Sequence, residues 1–240
     1  MTTGLVVGAT GGIGGACVAA LAGSVERMIV TGRDTAKLAA AAAFAGANPV
    51  SMIADIAEAS GRRAVLDAVK ATGSPLRWVV IASGAPLRGP LSELGEAEIE
   101  ATYASNLVGP TLLLRGLAEA SWTPRAALVI IGSTSATRAI ANRSVYAASK
   151  AGLEHLAKSV AAEWAPRGIQ VTVVAPGVVS TPFLGTDTAR LDTWTAGKVP
   201  VGRTGRPEEI GALVRYVALE APEYLVGARI AIDGGLETLA

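Results

Sequence analysis

Short runs of apolar, often β-branched residues recur along the chain: Leu5-Val6-Val7, Met28-Ile29-Val30, Val50 to Ile53, Trp78 to Ile81, Ala127 to Ile131, Ile169 to Val174 and Arg229 to Ile232. Their length and composition predict strands. Between them the apolar positions switch to helical spacing. The first such segment carries Ile13, Cys17, Ala20 and Leu21 along one side. Others span about Thr35 to Ala45, Gly61 to Thr72, Glu96 to Glu119, Ser144 to Trp164 and Pro207 to Leu219. Strand and helix in strict alternation predict an α/β fold: a doubly wound parallel sheet of about seven strands with helices on both faces. The runs 79–81 and 128–131 are continuously apolar, as befits strands buried on both sides. No linker or repeat interrupts residues 1–240, so one domain is expected. Ligands of such sheets sit beyond the carboxyl ends of the strands.

Composition narrows the function. The chain is 50% hydrophobic and 17% charged, which supports a packed core and excludes a disordered chain. With 21 basic against 20 acidic residues there is no basic surplus for neutralising phosphates, so nucleic acid is not an expected partner. Cys17 is the only cysteine, so no internal disulfide and no thiolate cluster can form, no metal site is expected, and a reduced, cytoplasmic setting fits. No charge precedes Glu26, but the segment lacks the positive start of a signal peptide, and seven glycines interrupt positions 4 to 23. Neither a targeting segment nor a membrane partner is expected.

After the first strand the chain reads Gly8-Ala9-Thr10-Gly11-Gly12-Ile13-Gly14. Glycines in a tight strand-to-helix turn let backbone approach a ligand, and the following helix start directs free N–H groups at an anion. A pyrophosphate is the natural guest. The second strand ends Thr31-Gly32-Arg33-Asp34, where a dinucleotide fold reads the adenosine ribose. Gly32 clears space there and Arg33 favours a 2′-phosphate, which points to NADP(H) ahead of NAD(H). Asp34 has a second reading, as the N-cap of the next helix.

Tyr146 and Lys150 lie four residues apart, on one face of a predicted helix. A phenol titrates near pH 10 and needs a nearby cation before it can exchange protons at neutrality; Lys150 is placed to supply one. Ser133 follows the fifth strand at its carboxyl edge. A hydroxyl and a phenol meeting at a carbonyl oxygen would polarise it and deliver a proton as hydride reaches carbon. Ser135 is the rival serine.

These motifs in this order resemble the short-chain dehydrogenase/reductase family, in its compact single-domain branch. The resemblance runs from Leu5 to Gly235 and rests on Gly8-x3-Gly12-x-Gly14, Asp55, Asn106, Ser133, Tyr146-x3-Lys150, Pro176-Gly177-x3-Thr181 and Ile232-Asp233-Gly234-Gly235. It implies a Rossmann-like fold and an oxidoreductase moving hydride between a nicotinamide and a ketone or secondary alcohol. Tyr146 would be the acid/base, Lys150 would also bind the nicotinamide ribose, Ser133 would hold the substrate oxygen, and Asn106 would anchor a water leading from Lys150 to solvent. The cofactor would meet Gly8, Thr10, Gly12, Ile13, Gly14, Arg33, Asp55, Ile56, Gly84, Tyr146, Lys150, Pro176, Gly177, Val179 and Thr181, with Asp55 at the adenine. Homotetramers are implied, with the helices 96–119 and 144–164 at interfaces. The chain departs from the family at Ile81-Ala82-Ser83-Gly84, where Asn-Asn-Ala-Gly is usual, and more mildly at Val7, often Thr. Gly84 keeps the close-approach position, and Ser83 is the candidate to replace part of the lost hydrogen bonding.

Two other functions fit less well: a 3-oxoacyl-(acyl-carrier-protein) reductase, which needs a basic docking patch, and a non-catalytic dinucleotide sensor, which needs no acid/base pair. Substrate choice falls to 85–89, 135–144 and a lid at 181–199. Phe183, Leu184, Leu191 and Trp194 suggest an apolar cover, while Arg138, Arg143 and Arg190 could meet an anionic substrate. Trp194 reads equally as packing. His155 is read as a packing or interface residue, Cys17 as core, and Arg62-Arg63 as a solvated face.

Overall fold

The computed structural model describes residues 1–46, 49–184, 193 and 195–239. Within them β1 (Thr3–Val7), β2 (Arg27–Gly32), β3 (Val50–Ile53), β4 (Leu76–Ile81), β5 (Trp122–Ile131), β6 (Ile169–Pro176) and β7 (Arg229–Ile232) form one sheet. Its order is β3-β2-β1-β4-β5-β6-β7, and every neighbouring pair is parallel. The helices are α1 (Gly12–Leu21), α2 (Thr35–Phe44), α3 (Ala59–Ala71), α4 (Glu96–Tyr103), α5 (Gly109–Leu117), α6 (Ser144–Trp164) and α7 (Pro207–Leu219). The doubly wound parallel sheet expected from the alternating pattern is the observed architecture.

Strand periodicity sorts the core into two layers. Leu5, Val7, Val79, Ile81, Leu128 and Ile130 face α3, α5 and α6, where Val65, Leu113, Leu117 and Leu153 meet them. Val6, Trp78, Val80 and Val129 face the other way, onto Cys17 and Leu21 of α1, Leu38 of α2 and Ile210 and Val214 of α7. Cys17 is a core residue, and burial pushes its thiol up to about 12. Among the described residues no helix is long and apolar enough to cross a membrane.

From β1 the chain adds β2 and β3 on one side, then returns to place β4 on the other. Crossovers leave in opposite directions from β1 and β4, and the crevice between them at the carboxyl ends is where such sheets take ligands. One expected element differs. The helix read over 96–119 is divided by a π turn at Ala104–Val108, closed by the Gly109 amide donating to the Ala104 carbonyl. Gly109 permits it, because a Cβ there would stand 2.6 Å from the Ile56 carbonyl oxygen.

The start of α1 is aimed at the crevice by its packing. A Cβ on Gly14 would overlap the Gly8 carbonyl oxygen, and one on Gly211 of α7 would stand 2.7 Å from the Ala16 carbonyl oxygen. Gly211→Val must therefore separate α1 from α7. It is expected to lower unfolding free energy by about 1–3 kcal/mol, read by urea denaturation.

Candidate active site

A cleft of about 1310 Å³ opens at the carboxyl ends of β1 to β4. Gly8, Thr10 and Gly12 line it from the β1–α1 turn, Arg33 and Asp34 from β2, Asp55 and Ile56 from β3, and Ser83 and Gly84 from β4. Gly8 has φ +87, and a Cβ there would lie 2.7 Å from the Ser83 nitrogen. On Gly12 a Cβ would lie 2.6 Å from Thr181 Cγ2, so this glycine lets the 176–181 segment close over the turn. No side chain caps the start of α1, so the first-turn amides, Ile13 and Gly14 among them, keep their donors for an anion. The Ser83 hydroxyl is buried at the cleft wall with no hydrogen-bond partner among the described residues. It therefore replaces none of the asparagine bonds.

At the far end Asp34 is spent. Its Oδ1 accepts the Lys37 amide at 3.0 Å as the N-cap of α2, and this bond holds its carboxyl below the usual range. Arg33, 61% exposed at its side chain, reaches Asp55 at 3.5 Å. Lys37 lines the cleft beside them, its Nζ 3.5 Å from Asp34 Oδ2. Arg62, expected to be solvated, instead donates to the Ile56 and Ala57 carbonyls at 2.7 Å each. It braces the turn that carries Asp55 and Ile56. The glycine cradle, the uncapped helix start, the orphaned Ser83 hydroxyl and the basic end together fit a dinucleotide.

Three polar groups lie on one buried face of α6: Tyr146, Lys150 and Glu154. The end of β5 satisfies them. Lys150 Nζ donates to the Ile131 carbonyl at 3.0 Å, and the Ser133 amide donates to Glu154 Oε1 at 2.9 Å. Burial raises the Tyr146 pKa, contrary to the lowering expected from Lys150; hydrogen bonding with the Ser133 hydroxyl and the charge of Arg143, not of Lys150, draw it down. The Ser135 amide donates to Ser133 Oγ at 3.1 Å, which orients the hydroxyl. Burial brings Lys150 down to about 8, against the pull of Glu154.

Asn106 is fully buried in the π turn. Its Oδ1 accepts the Ala85 amide at 2.7 Å, and its Nδ2 donates to the Ala85 carbonyl and to Ser149 Oγ, both at 3.0 Å. This clamp ties the segment after β4 to α6. Gly84 fits between, since a Cβ there would stand 3.3 Å from Asn106 Oδ1 and 3.4 Å from Lys150 Nζ. Phe183, which lines the cleft, packs tilted on Tyr146 with ring centroids 5.9 Å apart. Pro176 ends β6, Gly177 packs on Asp233, and Val179 bridges to Gly205. These three brace the segment leading to Thr181; like Ile13, Gly14, Ser133, Tyr146, Lys150 and Thr181, they border the cleft without lining it. His155 is exposed, so packing within the chain does not account for it. Of the expected lid, 185–192 and 194, with Arg190, Leu191 and Trp194 among them, lie outside the described residues.

Sequence reasoning missed Glu154 and its partners. Its Oε2 accepts from Arg229 Nε at 2.8 Å, and Arg229 also donates to Glu237 at 2.8 and 2.6 Å. Thr137 donates to Glu237 in turn, and Arg229 reaches the Ser133 carbonyl at 3.4 Å. A chain of charges thus holds Ser133 by its backbone from behind. The available signal was spacing, because Glu154 stands four residues beyond Lys150 and so on the same helix face.

Comparison with known proteins agrees with this geometry. Residues 8–237 match the family model described as Enoyl-(Acyl carrier protein) reductase. The chain is 31% identical over 235 residues to cis-4-hydroxycyclohexanecarboxylate dehydrogenase of Sinomonas cyclohexanicum, covering 96% of this chain and 94% of that one. It is 34% identical over 239 residues to galactitol 2-dehydrogenase (L-tagatose-forming) of Cereibacter sphaeroides, covering 96% and 92%. A short-chain dehydrogenase/reductase from Serratia marcescens superposes with a TM-score of 0.90 at 28% identity, covering 98% and 97%. A variant of actinorhodin polyketide ketoreductase, solved with NADPH, gives 0.88 at 25% identity, covering 98% and 97%. The chain belongs to the short-chain dehydrogenase/reductase family. It is an NAD(P)-dependent oxidoreductase acting on CH–OH/C=O groups.

Glu154→Gln keeps an acceptor for the Ser133 amide but removes the charge facing Arg229. It is expected to lower unfolding free energy by about 2 kcal/mol, read by urea denaturation. Unchanged stability would show that the charge contributes nothing net.

Proposed function

We propose that the protein is an NADP(H)-dependent reductase of ketones, and dehydrogenase of the corresponding secondary alcohols, in which Tyr146 is the acid/base. The observation that carries the chemistry is the meeting of Ser133 and Tyr146 at the end of β5, beside buried Lys150. When bound in the cleft, the nicotinamide supplies or accepts the hydride. The raised pKa keeps the Tyr146 phenol protonated at neutral pH, the form a carbonyl reduction consumes. Ser133 holds the carbonyl oxygen while Tyr146 delivers its proton there. Lys150, buried against Ile131, binds the nicotinamide ribose and returns the proton. Asn106 spends its amide on Ala85 and Ser149, leaving one lone pair of Oδ1 for the water that links Lys150 to solvent. Phe183 packs on the phenol at the cleft.

The preference for NADP(H) rests on the end of β2. Asp34, the carboxylate that could bind a free ribose hydroxyl, is committed to capping α2. Arg33 and Lys37 line the cleft there, and Arg33 has only a long, exposed contact to Asp55 to give up. A relative bearing the name 3-oxoacyl-(acyl-carrier-protein) reductase, from Escherichia coli, is 31% identical over 238 residues. Turnover of an acyl-carrier thioester, with simple ketones untouched, would favour that narrower activity.

Tyr146→Phe removes the transferable proton and is expected to lower kcat by about 10²–10⁴. Fluorescence titration should show cofactor binding within a few-fold of wild type; near-normal turnover would overturn the assignment. For the cofactor, kcat/KM with NADPH should exceed that with NADH. Arg33→Ala should cut this ratio by about 10- to 100-fold, the worth of one charge-assisted contact. An NADH preference in the wild type would refute the NADP(H) reading.

A further inference from the structure

Two loops meet beside Tyr146. The Gly89 amide donates to the Asn142 carbonyl at 3.0 Å, strapping the segment after β4 to the entry of α6. The residues flanking that bond are Arg88 and Arg143. Asn142 has φ +64, a left-handed conformation that asparagine tolerates. The chain turns there to put Arg143 at the N-cap of α6. From this position the guanidinium lies over the phenol, with Cζ 5.8 Å from the Tyr146 ring centroid. Arg143 is half-buried, and burial together with the charge of Arg88 pushes its pKa down.

Among the described residues, no carboxylate forms an ion pair with Arg88 or Arg143. Arg138, read alongside Arg143 as a possible anion contact, exerts its charge on Glu237. Two cations held together by a main-chain strap, one of them partly desolvated, oppose each other unless an anion joins them. A neutral substrate would leave that opposition in place.

We infer that Arg143, assisted by Arg88, recognises a carboxylate on the substrate, so that the compound reduced at Tyr146 is an oxo acid and the product a hydroxy acid. This rests on the reductase reading of the site. A guanidinium offers a planar fork that matches a carboxylate. Its position over the phenol puts both groups within the length of one small molecule. An anion on a long carrier arm would lie many bonds from the reacting carbon, so the acid group belongs to the reactant itself. The carboxylate is not consumed: hydride from the reduced nicotinamide joins the carbonyl carbon, the Tyr146 proton joins its oxygen, and the cofactor leaves oxidised.

The test compares kcat/KM for oxo acids of increasing chain length with their methyl esters, using NADPH, in wild type, Arg143→Gln and Arg88→Gln. Wild type should favour at least one acid over its ester by about tenfold or more, the worth of one charge-assisted hydrogen bond. In Arg143→Gln that ratio should fall towards one, with a smaller fall in Arg88→Gln. Wild type turning over every ester as well as its acid overturns the inference. So does Arg143→Gln lowering acid and ester equally, because a guanidinium that only tunes the phenol leaves the ratio unchanged. Calorimetric titration with unreactive saturated carboxylates and their amides needs no turnover. Carboxylate binding that is lost in Arg143→Gln supports the inference, and equal binding of the amides overturns it. If no carbonyl compound is reduced at all, the reductase reading fails while this binding comparison still decides the anion site.

Discussion

A phenol, an ammonium and a carboxylate share one buried face of α6, and such groups are tolerated in an interior only when each finds a partner. The partners come from the end of β5. The Ile131 carbonyl takes Lys150, the Ser133 amide takes Glu154, and the Ser133 hydroxyl meets Tyr146. Satisfying the buried face and assembling the reactive groups are therefore one event. A slip of α6 along β5 would break the register of all three contacts together. Arg229 extends the arrangement to the last strand and Glu237, so the C-terminal end of the chain supports the serine.

The cofactor side depends on closeness of backbone. Gly8 against Ser83, Gly12 against Thr181 and Gly84 against Lys150 are places where a side chain has no room. They bring the ends of β1, β4 and β6 around one crevice. After β4 the chain reads Ala82-Ser83-Gly84-Ala85, and Asn106 holds this segment from the other side. Held in a π turn, its amide pairs with both backbone groups of Ala85. The neighbouring Ser83 hydroxyl is buried with no hydrogen-bond partner among the described residues.

Elements whose cause is local were legible in advance. Each of the seven apolar runs is a strand; the central ones are continuously apolar because they are buried on both faces, while the edge strands β3 and β7 are only partly buried. Tyr146, Lys150 and Ser133 were legible too, through helical spacing and position after a strand. The π turn was not, since Ala104 to Val108 has ordinary helix-forming composition and the turn is closed by contacts with Ile56, Ala85 and Ser149. Arg62 misled in the same way. On its own helix it resembles any surface arginine, yet it reaches back to the carbonyls of the preceding turn.

The order of strands and helices, the glycine-rich turn and the placing of Ser133, Tyr146 and Lys150 of the proposed reactive set follow from the sequence alone. They arise from residue types acting on their own neighbours at fixed periods. Which charges face one another was decided only by the tertiary structure. Glu154 meets Arg229 across 75 residues of chain, and Arg88 and Arg143 are brought side by side by one backbone hydrogen bond. Asp34 settles on capping α2, which leaves the β2 end to Arg33 and Lys37. Charge acts through space, and the sequence specifies distances through space only once the chain has folded.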